Sequence, residues 1–167
     1  MSAEELIDEL DASGNVIGVT TRADMRARRL PHRCTYILVF NRRGELFIHQ
    51  RTPTKDVFPS FWDVTVGGVV SAGETFDLGA VREGAEELGV AIEPEFLFPF
   101  HFSDQRTTCF GQVYRAVHDG PFQLQVEEIV QGEFVAPDEV LERAEHAHFC
   151  PDGIKVWKQY LRRELNA

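Results

Sequence analysis

A chain of 167 residues, 43% of them hydrophobic and 13 of them phenylalanine, is long enough for one domain with a proper core and too apolar to be disordered. Its net charge of −10 excludes a protein that wraps nucleic acid, and with no long apolar stretch and an acidic start, MSAEELIDELD, neither a membrane span nor a signal peptide is expected. The cysteines, Cys34, Cys109 and Cys150, are odd in number and far apart, which points to buried thiols in a reduced, cytoplasmic setting.

From the N-terminus, ELIDELDASGNVIGVTTR reads as a hairpin turning at Ser13-Gly14-Asn15. Arg22 to Leu30 reads as a short helix stopped by Pro31. Cys34 to Phe40 is apolar on both faces and predicts a central strand. The turn Asn41-Arg-Arg-Gly44 leads into a second strand, Glu45 to Arg51, and a loop with two prolines, Thr52 to Ser60, follows. FWDVTV then alternates, with Trp62, Val64 and Val66 expected on one side of a half-buried strand that ends at Gly67-Gly68. Beyond the next segment, a helix, Phe96 to Phe102, Thr107 to Val117 and Glu127 to Phe134 are strand-like, and a short helix starts near Pro137. A final helix from about Asp152 places Ile154, Trp157, Leu161 and Leu165 on one stripe. No repeat or linker divides the chain. The order predicts an α/β (α+β) fold with a mixed sheet between helices.

The segment after the glycine pair carries the chemistry. Gly68 is followed at fixed spacing by Glu74, Arg82-Glu83, Glu86-Glu87 and Gly89-Val90. Thr75 is the expected N-cap, Asp77 suits the positive end of the macrodipole, and Gly89 suits the C-terminal stop. Helical spacing puts Leu78, Val81, Ala85 and Leu88 on one stripe and Glu83, Glu86, Glu87 and Gly79 opposite. Three like charges at i, i+3 and i+4 repel, and a cation between them reverses the sign of that cost. Carboxylate oxygens suit Mg²⁺ or Mn²⁺.

This spacing resembles the signature of the Nudix hydrolases, which cleave a diphosphate linked to another moiety using divalent metal, and it fixes enough positions that a chance match is rare. It departs from the family pattern at Gly84, where an aliphatic residue is usual, and the departure is expected to be a tolerated cost to the helix. The resemblance implies an α/β/α sandwich. It implies metal ligands at Glu83, Glu86 and Glu87 with the Gly68 carbonyl, an Arg82 that orients a glutamate, and Glu74 as its partner or a water-orienting group. Glu83 is the first choice of general base. Glu128 resembles the later acidic residue that many family members use as extra ligand or base, although Glu127-Glu128 reads equally as an exposed strand-edge pair. No organic cofactor is implied.

The N-terminal hairpin, the Arg22 to His32 segment and the Arg51 to Pro59 stretch look like the branch that contains isopentenyl diphosphate isomerase. The expectation is one domain over 1–167, with 1–30 as an N-terminal extension and 31–167 as the core, acting as a monomer or homodimer. In that branch a metal-binding histidine stands where His32 stands here; alone beside a strand, His32 reads as a hydrogen-bonded structural residue. His146 and His148 form an HxH pair with no third ligand in view. An isomerase is disfavoured because Val66-Gly67-Gly68-Val69-Val70 lacks the catalytic cysteine and histidine of that turn. A non-catalytic nucleotide-sensing domain is disfavoured because every glutamate of the motif is present.

The expected reaction is hydrolysis of a phosphoanhydride in nucleoside di- or triphosphates. The loop from Arg51 to Trp62 and the strands near Phe100, Phe102 and Phe110 are expected to offer a stacking surface for the base. Eight arginines, Arg22, Arg26, Arg28, Arg29, Arg33, Arg42, Arg43 and Arg51, are expected to form a face that holds phosphates.

Overall fold

The N-terminal alternation folds back on itself as read. In the computed structural model, which describes residues 2–167, strands β1 (Leu6–Leu10) and β2 (Val16–Thr21) pair antiparallel as a separate two-stranded sheet. Asp11 Oδ1 accepts from the Ser13 and Asn15 amides at 2.8 and 2.9 Å, which sets the turn. Helix α1 (Arg22–Arg28) is capped by Thr21, whose hydroxyl accepts from the Asp24 amide, and ends at Arg29 with φ 53° ahead of Pro31.

The main sheet has six strands: β3 (His32–Phe40), β4 (Leu46–Arg51), β5 (Trp62–Asp63), β6 (Glu95–Ser103), β7 (Thr108–Val117) and β8 (Ile129–Val135). Its order is β5-β4-β3-β7-β6, with β8 on the other side of β4 from β3. It is mixed: β3 and β7 run parallel along their whole length, from His32 beside Cys109 to Phe40 beside Val117, and the other pairs are antiparallel. Helix α2 (Phe76–Leu88) packs on one face, over Ile37, Val39 and Tyr114. Helices α3 (Glu139–His146) and α4 (Pro151–Leu165) join the core of the other face, where Val140, Val156 and Trp157 meet Leu38, Phe40 and Ile48. The result is an α/β/α sandwich with a mixed sheet, an N-terminal hairpin and a C-terminal helix.

Three expectations about packing are corrected. The FWDVTV segment is not a regular strand with one buried side. Only Trp62–Asp63 pairs with β4; Val64 faces the core that holds Trp157, while Val66 faces the core under α2. The reason lies in β3 and β4, which pair only at Phe40 and Leu46. The chain crosses the gap between them: Trp62 and Asp63 pair with Gln50 and His49 on β4, and Val66 then exchanges bonds of 2.7 and 2.9 Å with Ile37 on β3.

In α2, Leu78 and Val81 are exposed, at 62% and 47%, and Ala85 is exposed too. The inward face is Gly79, Ala80, Glu83, Gly84, Glu87 and Leu88. A face of small residues lets the helix backbone come close to the core. A Cβ on Gly84 would lie 2.3 Å from Ile92 Cδ1, so a side chain there would have to push Ile92 aside. In α4, Trp157 is fully buried and Ile154 and Leu161 are half-buried, but Leu165 at the frayed end is 84% exposed.

Candidate active site

The segment after β5 ends in two glycines because β3 and α2 both press on it. Gly67 has φ 142°, and a Cβ there would stand 2.2 Å from the Thr35 carbonyl oxygen. A Cβ on Gly68 would stand 2.8 Å from the Glu83 carboxyl. The Gly68 carbonyl accepts from the Thr35 amide at 2.9 Å and, at a longer 3.4 Å, from the Thr35 hydroxyl. Gly68 and the Glu83 carboxyl therefore stand side by side.

Helix α2 starts at Thr75, whose hydroxyl accepts from the Leu78 amide, and stops at Gly89 with φ 67°. Between these caps Glu83 and Glu87, one turn apart, point inward and are buried, while Glu86 stands half-exposed at the rim. Burial pushes Glu83 up to about 7, against the pull of Arg82, whose Nη1 donates to it at 2.7 Å. Burial, reinforced by Glu83, pushes Glu87 up to about 8, with Lys55 pulling the other way. Two such acids cannot both ionise cheaply without a cation.

Arg82 is fixed by a forked bond to Glu74, Nε and Nη2 each donating at 2.9 Å, and Nη2 also donates to the Val69 carbonyl at 3.2 Å. Glu74 also accepts from the Ser71 amide at 3.0 Å, and the bonds from Arg82 hold its carboxyl below the usual range. Glu74 is thus placed as the partner of Arg82. Glu128, just before β8, lines the same cavity and is only 15% exposed, so it is no strand-edge charge. Burial opposes its ionisation, but the ion pair with Lys55 brings its carboxyl below the usual range. Glu127, its neighbour, is exposed.

The cavity mouth is cationic, but the arginines do not form one face. Arg22 and Arg26 line it and pair with Asp56 at 3.2 and 3.1 Å. Arg51 also lines it and holds the loop by donating to the Val57 and Phe58 carbonyls at 2.9 and 3.2 Å. Arg28, Arg42 and Arg43 pair with Glu9, Asp119 and Glu45 away from the cavity, and Arg33 pairs with Asp8. The strands do not supply the expected stacking surface, since Phe100 and Phe102 are buried in the core and Phe110 packs on His101 and Gly14, whereas the loop does reach the cavity, with Phe58 lining it. Turn and loop geometry distributes these side chains, and composition does not reveal that geometry.

Sequence reasoning weighed His32 alone and read the cysteines as buried thiols, but it did not bring them together with Tyr36 and Asp152 as a cavity floor. His32, Cys34, Tyr36, Cys109, Cys150 and Asp152 all line it. Burial, with Asp63 beside it, pushes Asp152 up to about 7; its Oδ2 accepts from the Tyr36 hydroxyl at 3.2 Å and its Oδ1 has no hydrogen-bond partner. Gly153 permits this approach, since a Cβ there would meet Asp63 Oδ1 at 2.3 Å. The resemblance at His32 was one signal, and joining His32 to Cys109 needed the parallel pairing of β3 and β7 to be known. His146 and His148 do not reach this cavity; His148 stacks on Phe61 and His146 lines a separate groove.

Comparison with known proteins agrees with the geometry. A profile of the NUDIX domain matches residues 30–152. An uncharacterised Nudix hydrolase of Streptomyces coelicolor is 40% identical over 93% of this chain and 88% of its own length. The Escherichia coli relative named Nudix hydrolase YfcD is 35% identical over 98% and 90%. Among solved structures, DR0079 from Deinococcus radiodurans superposes with a TM-score of 0.79 at 30% identity, covering 93% of this chain and 98% of that one. The MutT protein of Methanosarcina mazei, at 20% identity and a TM-score of 0.70 over 82% and 96%, shares the fold.

Proposed function

The chain belongs to the Nudix hydrolase family, enzymes that hydrolyse pyrophosphates and generally use divalent metal, and from that premise we propose that it cleaves the phosphoanhydride of free nucleoside di- and triphosphates. In this reading residues 1–167 work as one domain, and Glu83, Glu86, Glu87 and the Gly68 carbonyl hold Mg²⁺ or Mn²⁺. The observation that carries it is the pair of buried carboxylates, Glu83 and Glu87, one turn apart beside Gly68. The donor set fits the ion: every donor is a hard oxygen, and Arg82 and Lys55 do not offset the burial that keeps both acids from ionising. A divalent ion bound there neutralises phosphate charge and acidifies a bound water.

The protein's own residues do the rest. Arg82 is a positioning residue: gripped by Glu74 and Val69, it fixes one Glu83 oxygen and leaves the other toward the cavity. Glu83 is the proposed proton acceptor, since it sits centrally on the inward acidic face of α2 and lines the cavity. Glu128, held ionised by Lys55, is the weaker base and ranks second. Lys55, Arg22 and Arg26 at the mouth attract the phosphates, so the cations rather than an aromatic platform anchor the substrate.

The test is the initial rate of phosphate release with Mg²⁺ on common nucleoside di- and triphosphates, ADP-ribose, a dinucleoside polyphosphate and isopentenyl diphosphate. Hydrolysis of free nucleotides that stops in EDTA is expected. Preference for ADP-ribose or the dinucleotide keeps the mechanism and overturns the substrate class. Double-bond migration in isopentenyl diphosphate overturns both, and binding without turnover makes the domain a sensor.

A further inference from the structure

The floor of the cavity has a different chemistry from its glutamate wall. His32 and Cys34 are two residues apart on β3 and so share a face of the sheet, while Cys109 stands opposite His32 on the parallel strand β7. Their ligand atoms, one imidazole nitrogen and two sulfurs, all lie within 4.8 Å of one another, and all three residues are buried. Among the described residues this is the only trio of His, Cys, Asp or Glu gathered so tightly.

The details go beyond close packing. His32 Nδ1 lies 3.0 Å from the Leu30 carbonyl, which can only accept, so Nδ1 carries the proton and Nε2 is left with its lone pair. That free nitrogen points at Cys109 Sγ, 3.5 Å away. A carbonyl that fixes the ring and tautomer in this way is the usual outer support of a metal-bound histidine. In a tetrahedral site with Zn–S near 2.3 Å and Zn–N near 2.0–2.1 Å, the nitrogen–sulfur edge is about 3.5 Å. The Thr107 hydroxyl lies 3.5 Å from Cys109 Sγ as a second outer contact. An independent observation points the same way: Asp152 Oδ1, buried and without any hydrogen-bond partner, lines the same cavity.

We propose that His32, Cys34 and Cys109 bind a thiophilic metal ion, Zn²⁺, in a tetrahedral site whose fourth position opens to the cavity on the side of Asp152. Two thiolates and an imidazole are soft donors, which select Zn²⁺ over Mg²⁺, whereas the glutamates of α2 do the reverse. The two sites take different ions in one cavity. A substrate phosphate or water entering the fourth position would meet a second, permanently held cation. The assignment does not depend on the hydrolytic reading and can fail or hold alone.

The test uses the full chain, stripped with chelator under reducing conditions and titrated with Co²⁺ as a spectroscopic probe. One equivalent should bind with the near-ultraviolet thiolate-to-cobalt band and the strong visible bands of tetrahedral cobalt. Zn²⁺ should abolish these bands and excess Mg²⁺ should not. A Glu83→Gln/Glu87→Gln double variant should keep them, and Cys109→Ser should weaken Co²⁺ binding at least tenfold. X-ray absorption on the unaltered chain loaded with Zn²⁺ decides the matter without any variant: two sulfur neighbours at about 2.3 Å are expected. A shell of oxygen and nitrogen alone, or cobalt bands that survive Cys34→Ser and Cys109→Ser, overturns the site.

Discussion

Helices α2 and α4 cover opposite faces of one sheet, and they obey opposite rules. Helix α4 buries Val156 and Trp157 and turns Lys158, Arg162 and Arg163 to solvent, as an amphipathic helix should. Helix α2 buries Glu83 and Glu87 and leaves Leu78 and Val81 in water. Burying two carboxylates costs free energy, and exposing two aliphatic side chains forgoes some. An arrangement that loses on both counts persists where the inward face has work to do. Helix α4 is placed by packing and α2 by chemistry.

The sharpest way to break that contrast is to remove charge from α2. Glu83→Gln or Glu87→Gln keeps the shape and deletes a ligand charge, so kcat on the best nucleotide should fall on the order of 10²–10⁴-fold while the circular dichroism spectrum stays native. Turnover within threefold of the parent in both variants would remove the site from α2. The mirror experiment is Trp157→Ala in α4. Trp157 is fully buried against Phe40 and Tyr160, with ring centroids 6.2 and 5.4 Å away. Its loss should cost about 3–5 kcal/mol in urea unfolding. If turnover per folded molecule also collapses, α4 does more than pack.

The pH dependence of the metal-free protein sharpens the same point. Glu87 and Glu83 have ordinary values of 4.5 and folded values of about 8 and 7. Below pH 4.5 both states hold the protons and no penalty exists. Between that pH and the folded values the unfolded chain has released protons that the native one keeps, so the unfolded state binds fewer and stability falls as pH rises. The melting temperature in EDTA should therefore drop from pH 5 to pH 8. Mg²⁺ should restore more of it at pH 8 than at pH 5, and the Glu83→Gln/Glu87→Gln variant should flatten the slope, leaving the part that belongs to Asp152, which burial also raises to about 7. A flat profile in the parent would mean the carboxylates are solvated.

The contrast also sets how far the sequence could be read. Helix α4 and the central strand β3 were legible because burial and hydrophobicity agree there: Val39, Phe40 and Trp157 are where apolar residues belong. The helix limits of α2 were legible from Thr75 and Gly89, and the one-turn spacing singled out Glu83 and Glu87, which are the two glutamates the helix buries. Its orientation was misread, because the apolar stripe is a guide only when core formation is the sole demand. The floor trio was hidden because His32 and Cys109 are 77 residues apart and meet only through a parallel pairing. The single arginine face failed as a prediction because counter-ions such as Asp56 and Asp8 take up the arginines one at a time, leaving Arg22, Arg26 and Arg51 at the cavity.

Arg82 tests how tightly the chemistry of α2 is held. Lysine keeps the charge but cannot make the fork to Glu74 while also reaching Glu83 and Val69. Arg82→Lys should lower kcat by about 10–100-fold, the usual cost of losing an outer support of a metal site. Because Glu83 is then less well fixed, the activating Mg²⁺ concentration should rise as well. A change in KM alone would place Arg82 on the substrate instead.

The smallest expected effect is at Gly84, where the two rules meet on one residue. Replacing a helical glycine by alanine normally stabilises by about 0.5–1 kcal/mol, because the unfolded chain loses freedom. Here the new Cβ would lie 2.3 Å from Ile92 Cδ1 and 2.8 Å from Ile92 Cγ1, both closer than atoms can stand. Ile92 is itself buried in the core under α2, so it has little room to swing aside. Overpacking of this kind costs about 1–3 kcal/mol, which outweighs the propensity gain. Gly84→Ala should therefore lower stability by about 1–2 kcal/mol in denaturant unfolding. If α2 is lifted from the core to make room, Glu83 and Glu87 move with it, and activity should fall alongside stability. Relieving the clash with Ile92→Val, which removes the atom nearest the new Cβ, should recover part of both. A stabilised Gly84→Ala protein would show instead that Ile92 moves freely, and that α2 is not held against the sheet as closely as its glycine face indicates.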